Sequence, residues 1–500
     1  MADLRNTFSM RDIAGGLSVA VVVIPQSLAY AEIAGLPPAM GLAAAAIPAL
    51  AAAPFASSRY LQTGPVAMTS LLTFGALTAL AAPGTDEYIS LALLLALVVG
   101  VTRIGLGMLR AGAVTNYMSP PVILGFTTSA AILIGASQIT SAMGVENVPD
   151  DIRERFLTVV ANPNEWNWQA MALTMAVGIL VIGGRRVHAL FPGVLLAVLI
   201  GLWIGWRTGY SPALVGPLPE GFPPFSLSLP WGRLPDLLLP GFVIATIGFA
   251  EATAISRTFA IQDREQWSAS RELVSQGVAN VAAGLSGGFP VGGSFSRSSI
   301  SRLAGARTRW SGAVTGALVL AFLPFAGIMS NLPRAVLGTI VISAIYHLIR
   351  VDEILRLVRI SHGQAMIATF TAIVTLVLAP RVDLAVLLGM AVAAGVHLHR
   401  ESSRLEVPAT HVDGRLTMRP RGVLYYGSAG VLYQALDDEL ARHGGCSIVE
   451  LDLTELGRID HTGFQALRAF SEIVRSAEIE LEITHIPPHA QGLFERAGGL

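Results

Sequence analysis

Two segments rich in glycine and proline interrupt apolar stretches of the chain, and their backbone groups could bind an anion. Residues 63–70 read TGPVAMTS, and residues 287–297 read GGFPVGGSFSR. Such clusters break the hydrogen bonding of a helix, and bare peptide groups cannot face hydrocarbon, so each segment must line a cavity or an interface. A helix that begins after each break would present unpaired N–H groups and about half a positive charge to a small anion.

Arg297 ends the second segment, where a charged side chain at membrane depth is costly and usually functional. We expect it to supply a fixed positive charge behind the helix end, while Ser294 and Ser296 donate hydrogen bonds to the anion. Two alternatives stay open: Arg297 could reach the cytoplasmic surface near Arg302, or both segments could serve only close helix packing. The glycine run lacks a Gly-Lys-Ser/Thr ending, which excludes a nucleotide-phosphate loop.

Two acidic residues are also expected at membrane depth. Glu32 ends the first apolar stretch, and Glu251 lies within the sequence FAEAT. A buried carboxyl group favours its neutral form, so either residue could take up a proton together with the anion. Alternatively, Glu32 lies at an exposed helix end, and Glu251 forms an ion pair with Arg297 that would partly cancel the attraction for an anion.

The composition places these residues in a membrane protein. Of the 500 residues, 53% are hydrophobic and only 13% are charged, so apolar surface exceeds what a soluble core needs. Stretches such as residues 13–31 and 312–331 are almost free of charge, whereas residues 400–500 have the composition of a soluble protein. The single cysteine, Cys446, excludes a disulfide framework and a cysteine-rich metal site, and the net charge of −1 gives no reason to expect nucleic acid.

A membrane helix needs about 20 apolar residues, and this criterion predicts an all-α polytopic membrane domain. The polar amino terminus has no convincing cleavage site, so we interpret the first stretch as a retained span and not as a signal peptide. The fourteen predicted spans are residues 12–31, 39–56, 65–82, 88–102, 121–142, 169–184, 188–206, 237–256, 272–287, 295–304, 310–330, 332–349, 363–380 and 382–399.

The arginines predict the orientation, because short cytoplasmic loops hold more positive charge than external loops. With the amino terminus inside, the internal loops contain fourteen arginines and the external loops six. We therefore expect a multi-pass protein of the inner (plasma) membrane with both termini in the cytoplasm. The internal set is Arg59, Arg103, Arg110, Arg185, Arg186, Arg257, Arg264, Arg271, Arg302, Arg307, Arg309, Arg350, Arg356 and Arg359, and the external set is Arg153, Arg155, Arg207, Arg233, Arg334 and Arg381.

The two broken segments open the third and the tenth predicted span. These positions are equivalent if the fourteen spans form two repeats of seven, and an odd number of spans in each repeat inverts the second copy. In an inverted-repeat transporter the two half-helices point their amino ends at each other near the middle of the membrane. The pattern therefore predicts an anion site between residues 63–70 and 287–297.

Several motifs resemble the SulP (sulfate permease) family of anion transporters, which also includes prestin. Residues 25–42, PQSLAYAEIAGLPPAMGL, are similar to the signature of the first two spans; residues 57–60 and 63–67 match the next stretch, and residues 295–298 match the motif opening span ten. The resemblance covers nearly the whole chain. It implies 7+7 inverted repeats similar to uracil permeases, a core domain that moves against a gate domain, and a homodimer.

The resemblance also implies how the site is built. Ala43 departs from the family, since a tyrosine commonly follows Gly-Leu there, and Glu251 stands where some sodium-coupled bicarbonate members have an aspartate. No clear sodium cage surrounds Glu251, which favours protons over sodium. By this resemblance and the argument above, the expected substrate-binding residues are Gln26, Tyr30, Val66, Ala67, Met68, Ser294, Phe295, Ser296 and Arg297, and the expected proton-coupling residues are Glu32 and Glu251.

After residue 400 the pattern alternates between short strands, at residues 422–427, 446–453 and 479–484, and helices, at residues 429–443 and 462–476. Residues 448–453, followed by residues 459–463, resemble the strand, loop and helix start of STAS domains, with Asp460 or Thr462 as a helix cap. His461 stands where phosphorylated relatives often have serine, which argues against a phosphoswitch. We therefore expect a transmembrane domain over residues 1–400 and a cytoplasmic STAS domain over residues 401–500, which could bind a partner or a nucleotide, or assist folding.

These observations together predict a secondary active transporter that carries a small anion with a proton through the lipid bilayer. Sulfate, bicarbonate and dicarboxylates are the candidate substrates; we favour a dicarboxylate such as fumarate, because co-transported protons offset multiple negative charges. The alternatives are an uncoupled channel or voltage-responsive motor, and a membrane-anchored STAS signalling platform. No catalytic constellation, cofactor or metal site is expected.

Overall fold

The computed structural model describes residues 8–111, 119–145, 148–149, 151–188, 191–207, 209–219, 221–222, 225, 228–402, 405–425, 428–442 and 446–496. The chain divides into two compact units, Met1–Met390 and Ala391–Leu500. The first unit is built almost entirely from helices, and the second combines strands with helices.

Within the described residues, seventeen α-helices precede the strands of the second unit, and each of the fourteen predicted spans contains helical residues. The helices are α1 (Met10–Ile33), α2 (Pro38–Ala52), α3 (Ala67–Leu77), α4 (Asp86–Met108), α5 (Pro120–Met143), α6 (Ile152–Ala161), α7 (Trp168–Gly178), α8 (Gly184–Val187), α9 (Gly193–Arg207), α10 (Leu234–Gln262), α11 (Ala269–Leu285), α12 (Phe295–Leu303), α13 (Trp310–Phe322), α14 (Arg334–Ile345), α15 (Val351–Ile360), α16 (His362–Leu378) and α17 (Val382–Ser402).

Within the described residues, six helical stretches are long and apolar enough to cross a membrane. Six further apolar helices are shorter, and the count of fourteen crossings stays a prediction. The long stretches are Met10–Ile33, Asp86–Met108, Pro120–Met143, Trp231–Gln262, Trp310–Asn331 and Arg334–Ile360; the shorter helices are Pro38–Ala52, Ala67–Leu77, Trp168–Gly183, Gly193–Arg207, His362–Leu378 and Val382–His397.

Helices α3 and α12 are half-length helices, each preceded by a three-residue strand. They contain 11 and 9 residues, which corresponds to about 16 and 13 Å, roughly half of a bilayer core. The strands are β1 (Gln62–Gly64) and β2 (Gly292–Ser294), and they pair with each other in antiparallel orientation. The two segments that interrupt the apolar pattern therefore lie side by side, although their paired positions Gln62 and Ser294 are 232 residues apart in the sequence.

Helix α11 does not meet the apolar criterion, because its inward face is polar. Ser275, Gln276 and Asn280 are fully buried. Ser275 donates to the Ala52 carbonyl at 3.0 Å, and Gln276 donates to the Thr63 hydroxyl at 2.7 Å. Since a polar side chain at membrane depth needs a partner inside the protein, these bonds attach α11 to α2 and to the strand that precedes α3.

The helices of the first unit approach each other closely at small residues. Helices α1 and α2 meet at Gly41, where an added Cβ would lie 1.8 Å from the carbonyl oxygen of Ser27. Any side chain at this position would push the helices apart. The glycine therefore holds α1, which carries Gln26 and Tyr30, in place against its neighbour.

The second unit is a small α/β domain with its own core. Its largest sheet has the order β3-β4-β6-β8, and β4, β6 and β8 are parallel; β5 and β7 form a separate parallel pair. The sequence predicted β5, β6, β8, α18 and α19, but not β3, β4, β7 or α20. The elements are β3 (Ala409–Val412), β4 (Arg415–Met418), β5 (Gly422–Leu424), α18 (Ala429–Arg442), β6 (Ile448–Asp452), β7 (Leu456–Ile459), α19 (His461–Ser476), β8 (Glu480–Thr484) and α20 (Pro488–Arg496).

Asp460 caps helix α19, as the sequence suggested. Its carboxylate accepts hydrogen bonds from the Gly463 N–H at 2.8 Å and from the Thr462 hydroxyl at 2.6 Å. Burial alone would raise the pKa of Asp460, but these bonds outweigh it and lower the pKa below its ordinary value. The carboxylate is therefore held in its charged form at the positive end of α19.

Candidate functional site

The paired strands β1 and β2 bring two helix starts to one place. In their register Gln62 lies opposite Ser294 and Gly64 lies opposite Gly292. Strand β2 runs directly into α12, and Pro65 and Val66 separate β1 from α3. No described side chain caps α3, which begins after Val66. Its first-turn N–H groups are therefore left available for an acceptor from outside the helix. Val66, Ala67 and Met68, the predicted first helix end, are all buried at this point.

Arg297 joins the second helix to the first. Its side chain is 1% exposed, and its Nη1 donates to the Pro65 carbonyl at 2.7 Å. Its Nη2 is buried without a hydrogen-bond partner among the described residues. The alternative in which Arg297 reaches the surface near Arg302 is therefore wrong. The guanidinium instead lies inside the protein, next to the break before α3, with one nitrogen free to bind a ligand.

Ser294 caps α12, which changes the role expected of it. The Ser294 Oγ accepts the Arg297 backbone N–H at 3.5 Å, a long bond. Because this bond uses a lone pair of the oxygen, the hydroxyl hydrogen can still be donated to an anion. Ser296 is half-buried in the first turn of α12, and Phe295 is 48% exposed toward a cavity that it helps to line.

Helix α1 contributes Gln26 and Tyr30 to the same region. Both are buried, at 1% and 5% exposure, and Tyr30 is close enough to Arg297 to interact with it electrostatically. The Gln26 Oε1 has no hydrogen-bond partner among the described residues. A buried amide oxygen without a partner is unusual in proteins and is typical of a position that meets a polar ligand or water.

A cavity of about 530 Å³ lies beside these helix ends. Its lining includes Met68 of α3, Phe295 of α12 and Glu251 of α10, and also Arg350 and Glu353. Met68, Phe295 and Glu251 come from three separate parts of the sequence. A volume of this size accommodates a small anion together with water.

Glu251 and Arg297 do not form the ion pair that the sequence left open. They interact electrostatically, but no salt bridge connects them among the described residues. Glu251 is half-buried in the cavity wall. Its carboxyl group is therefore accessible from the cavity, and the positive charge of Arg297 is not cancelled by direct contact.

Glu32 lies at a different place. Its Oε1 is 3.4 Å from the Nε of Arg334. Both residues line a second cavity, also of about 530 Å³, which has no lining residue in common with the cavity of Glu251. Glu32 is thus an ion-paired residue at the end of α1, and the exposed helix end that the sequence allowed does not describe it.

Two functional candidates were missed from the sequence. Arg103 was counted among the loop arginines, but it lies within α4 and is fully buried, so that assignment was wrong. Asn280 holds the backbone of Val291 by accepting its N–H at 2.9 Å and donating to its carbonyl at 3.0 Å. A single arginine between apolar residues has the same sequence pattern whether it lies in a loop or within a membrane helix. Only the packing of the folded chain distinguishes the two positions.

Comparison with known families identifies matching profiles over most of the chain. The profile of the sulfate permease family matches residues 10–371, and the STAS domain profile matches residues 406–499. The chain is 28% identical to sulfate transporter 4.1, chloroplastic, of Arabidopsis thaliana, over 97% of this chain and 77% of that protein. It is 32% identical to the probable sulfate transporter Rv1739c of Mycobacterium tuberculosis, over 72% of this chain and 65% of that protein.

Solved structures share the fold. The murine Slc26a9 anion transporter in its inward-facing state matches with a TM-score of 0.87 and 19% identity, over 99% of this chain and 88% of that chain. The transmembrane domain of the cyanobacterial bicarbonate transporter BicA matches with a TM-score of 0.66 and 23% identity, over 77% of this chain and 97% of that chain. The predicted fold class, a helical membrane part followed by a small α/β STAS domain, is confirmed.

Proposed function

Because the chain belongs to the sulfate permease family of anion transporters, we propose that it is a secondary active transporter that moves a small anion by alternating access. The observation that carries the proposal is the position of Arg297. Its guanidinium is buried at the junction of two helix starts and donates to the Pro65 carbonyl, and its Nη2 has no partner among the residues that the structure describes. A buried cation beside free N–H groups attracts an anion far more strongly than the same charge in water.

The proposed anion site lies between the starts of α3 and α12. The uncapped N–H groups of α3 would bind one side of the anion, and Arg297 with the Ser294 and Ser296 hydroxyls would bind the other. Gln26 and Tyr30 of α1 would complete the site. This arrangement contacts an anion through many small dipoles and one full charge, which permits binding and release in each transport cycle.

Glu251 is the proposed proton carrier. It shares its cavity with Met68 and Phe295, whereas Glu32 is paired with Arg334 in another cavity. A carboxyl group in a partly apolar wall can be neutral when the anion is bound and charged when the site is empty. Coupling through Glu251 would therefore bring one proton with each anion, which offsets its charge against an inside-negative potential.

The proposed substrates are sulfate, bicarbonate or a dicarboxylate such as fumarate. Several relatives carry names as sulfate transporters, and one similar structure is named a bicarbonate transporter. The cavity beside the helix starts has room for any of the three anions. The plasma-membrane location, cytoplasmic termini, homodimer, and a cytoplasmic partner for the STAS domain remain part of the proposal, as do the domain limits at residue 400.

The test is uptake of radiolabelled sulfate, bicarbonate and fumarate into proteoliposomes, with and without an inward proton gradient. We expect gradient-stimulated uptake of at least one anion by the wild-type protein and its loss in Arg297→Ala. Uptake that ignores the gradient would refute proton coupling. Channel-like currents, or charge movement without net uptake, would replace the carrier by a channel or motor.

A further inference from the structure

We infer that Arg103 is a second buried cation behind the anion site, where it positions the loop before β2 and favours a doubly charged anion over a singly charged one. This inference rests on the proposed anion transport and extends it to the valence of the substrate. Arg103 does not contact the proposed site through a free donor, so it acts as a positioning residue.

Three hydrogen bonds hold Arg103 in place. Its Nε donates to the Ala245 carbonyl at 3.1 Å, its Nη2 to the Ile244 carbonyl at 3.2 Å, and its Nη1 to the Val291 carbonyl at 2.9 Å. The side chain is fully buried. All of these acceptors are neutral backbone groups, so the guanidinium connects α4 to α10 and to the loop before β2 without losing its charge to a carboxylate.

Arg103 has no ion-pair partner in the part of the chain that the structure describes. Arg59, by contrast, pairs with Glu265 at 2.5 Å. An isolated charge at membrane depth is expensive and persists where the protein uses it. Three neutral carbonyl dipoles satisfy its hydrogen bonds but leave its long-range field in place.

Arg103 lies close to the proposed anion site, so its electric field acts on a bound anion. An added Cβ at Gly248 would lie 2.5 Å from the Arg103 Nη2 and 3.2 Å from the Thr69 side chain, so the guanidinium packs between α10 and the first turn of α3. Gly248 and Glu251 are three residues apart and share a side of α10. Arg103 is therefore close behind the start of α3, on the side of α10 that also carries the cavity carboxyl group.

Arg103 also holds the residue that precedes β2. The Val291 carbonyl accepts from both Arg103 and Asn280, and Gly292 follows it as the first residue of the strand. A change at Arg103 can thus disturb the site in two ways, by moving β2 or by removing charge. These two effects depend differently on the charge of the transported anion.

Electrostatic attraction scales with the charge of the anion, and displaced contacts do not. If the loss of one positive charge lowers the affinity for a singly charged anion about threefold, it lowers the affinity for a doubly charged anion of similar position about tenfold. A purely structural defect instead lowers both affinities by a similar factor. The ratio of the two losses therefore reports the charge of Arg103 itself.

The experiment measures the KM for uptake of a doubly charged anion, sulfate or fumarate, and of singly charged bicarbonate into proteoliposomes by wild type, Arg103→Gln and Arg103→Lys. We expect Arg103→Gln to raise the KM for the doubly charged anion about tenfold and for bicarbonate about threefold, and Arg103→Lys to restore most of the difference, because lysine keeps the charge. Arg59→Gln, which removes a paired and more exposed arginine, is the matched control and should leave both values within about twofold.

Equal losses for the doubly charged anion and bicarbonate in Arg103→Gln would overturn the inference. If Arg103→Gln does not fold, Arg103→Lys decides alone: because lysine keeps the charge, its losses for the two anions should be similar, and a selective loss for the doubly charged anion contradicts the proposal. Failure of the wild-type protein to take up sulfate, bicarbonate or fumarate would refute the proposed function instead, so the two failures are distinguishable.

Discussion

The two broken segments have the same layout but different chemistry. Each consists of a three-residue strand followed by a half-length helix, β1 with α3 and β2 with α12. The start of α3 is uncapped and uncharged, whereas α12 begins with the Ser294 cap and carries Arg297 in its first turn. Arg297 then donates across to Pro65, next to the first segment. Both segments supply a helix dipole, because they share the same backbone geometry. Only the second segment supplies a full charge, that of Arg297.

The largest expected effect comes from removing that charge. Arg297→Gln should lower anion uptake about 100-fold, because a charged hydrogen-bond donor is lost from a buried position. The matched control is Arg302→Gln on the same helix, which removes a more exposed arginine that already pairs with Asp263 at 2.5 Å. Equal residual uptake in both variants would show that the asymmetry between the segments has no role in binding.

The next effect concerns coupling. Glu251→Gln should abolish the stimulation of uptake by an inward proton gradient while leaving anion exchange, because glutamine keeps the shape of the side chain and cannot carry the proton. Glu32→Gln should retain the stimulation, since Glu32 is paired with Arg334 away from this cavity. The opposite result, with coupling lost in Glu32→Gln alone, would move the proton site to the end of α1.

A smaller effect should follow from making the first segment resemble the second. Val66 occupies the cap position of α3 with an extended backbone. Val66→Ser would place an oxygen over the free N–H groups and compete with the anion, which should weaken affinity about fivefold, or ~1 kcal/mol. Val66→Ala loses the same methyl groups without adding a hydroxyl, so it should bind the anion more tightly than Val66→Ser. The measurement is the KM for uptake.

The smallest effect is expected from the reverse change in the second segment. Ser294→Ala removes the cap of α12 and should lower the free energy of unfolding by about 1 kcal/mol. Thermal unfolding of the purified protein in detergent measures this loss, and Ser294→Thr, which keeps the hydroxyl, should recover most of it. An unchanged unfolding temperature in Ser294→Ala would mean that the long 3.5 Å contact contributes no stability.

The helical regions were the most predictable part of the fold. Long apolar stretches identify helices because backbone groups at membrane depth must bond to each other. Every predicted span contains a helix, but α6 and α15 were not anticipated, because both helices are amphipathic and too polar for a membrane criterion. In the STAS domain β5, β6 and β8 were predicted, whereas the four-residue strands β3, β4 and β7 were missed.

The sequence by itself determined two features of the site. Clusters of glycine and proline showed where the membrane helices must be interrupted, and an arginine in an apolar stretch showed which charged residue lies at membrane depth. Those features are local, because the cost of bare peptide groups and of an isolated charge depends on the surrounding hydrocarbon. The tertiary structure alone decided that β1 pairs with β2, that Arg297 bonds to Pro65, and that Glu251 and Glu32 lie in separate cavities. It also decided that Arg103 is buried, since a side chain's partners come from helices that are distant in the sequence and meet only on folding.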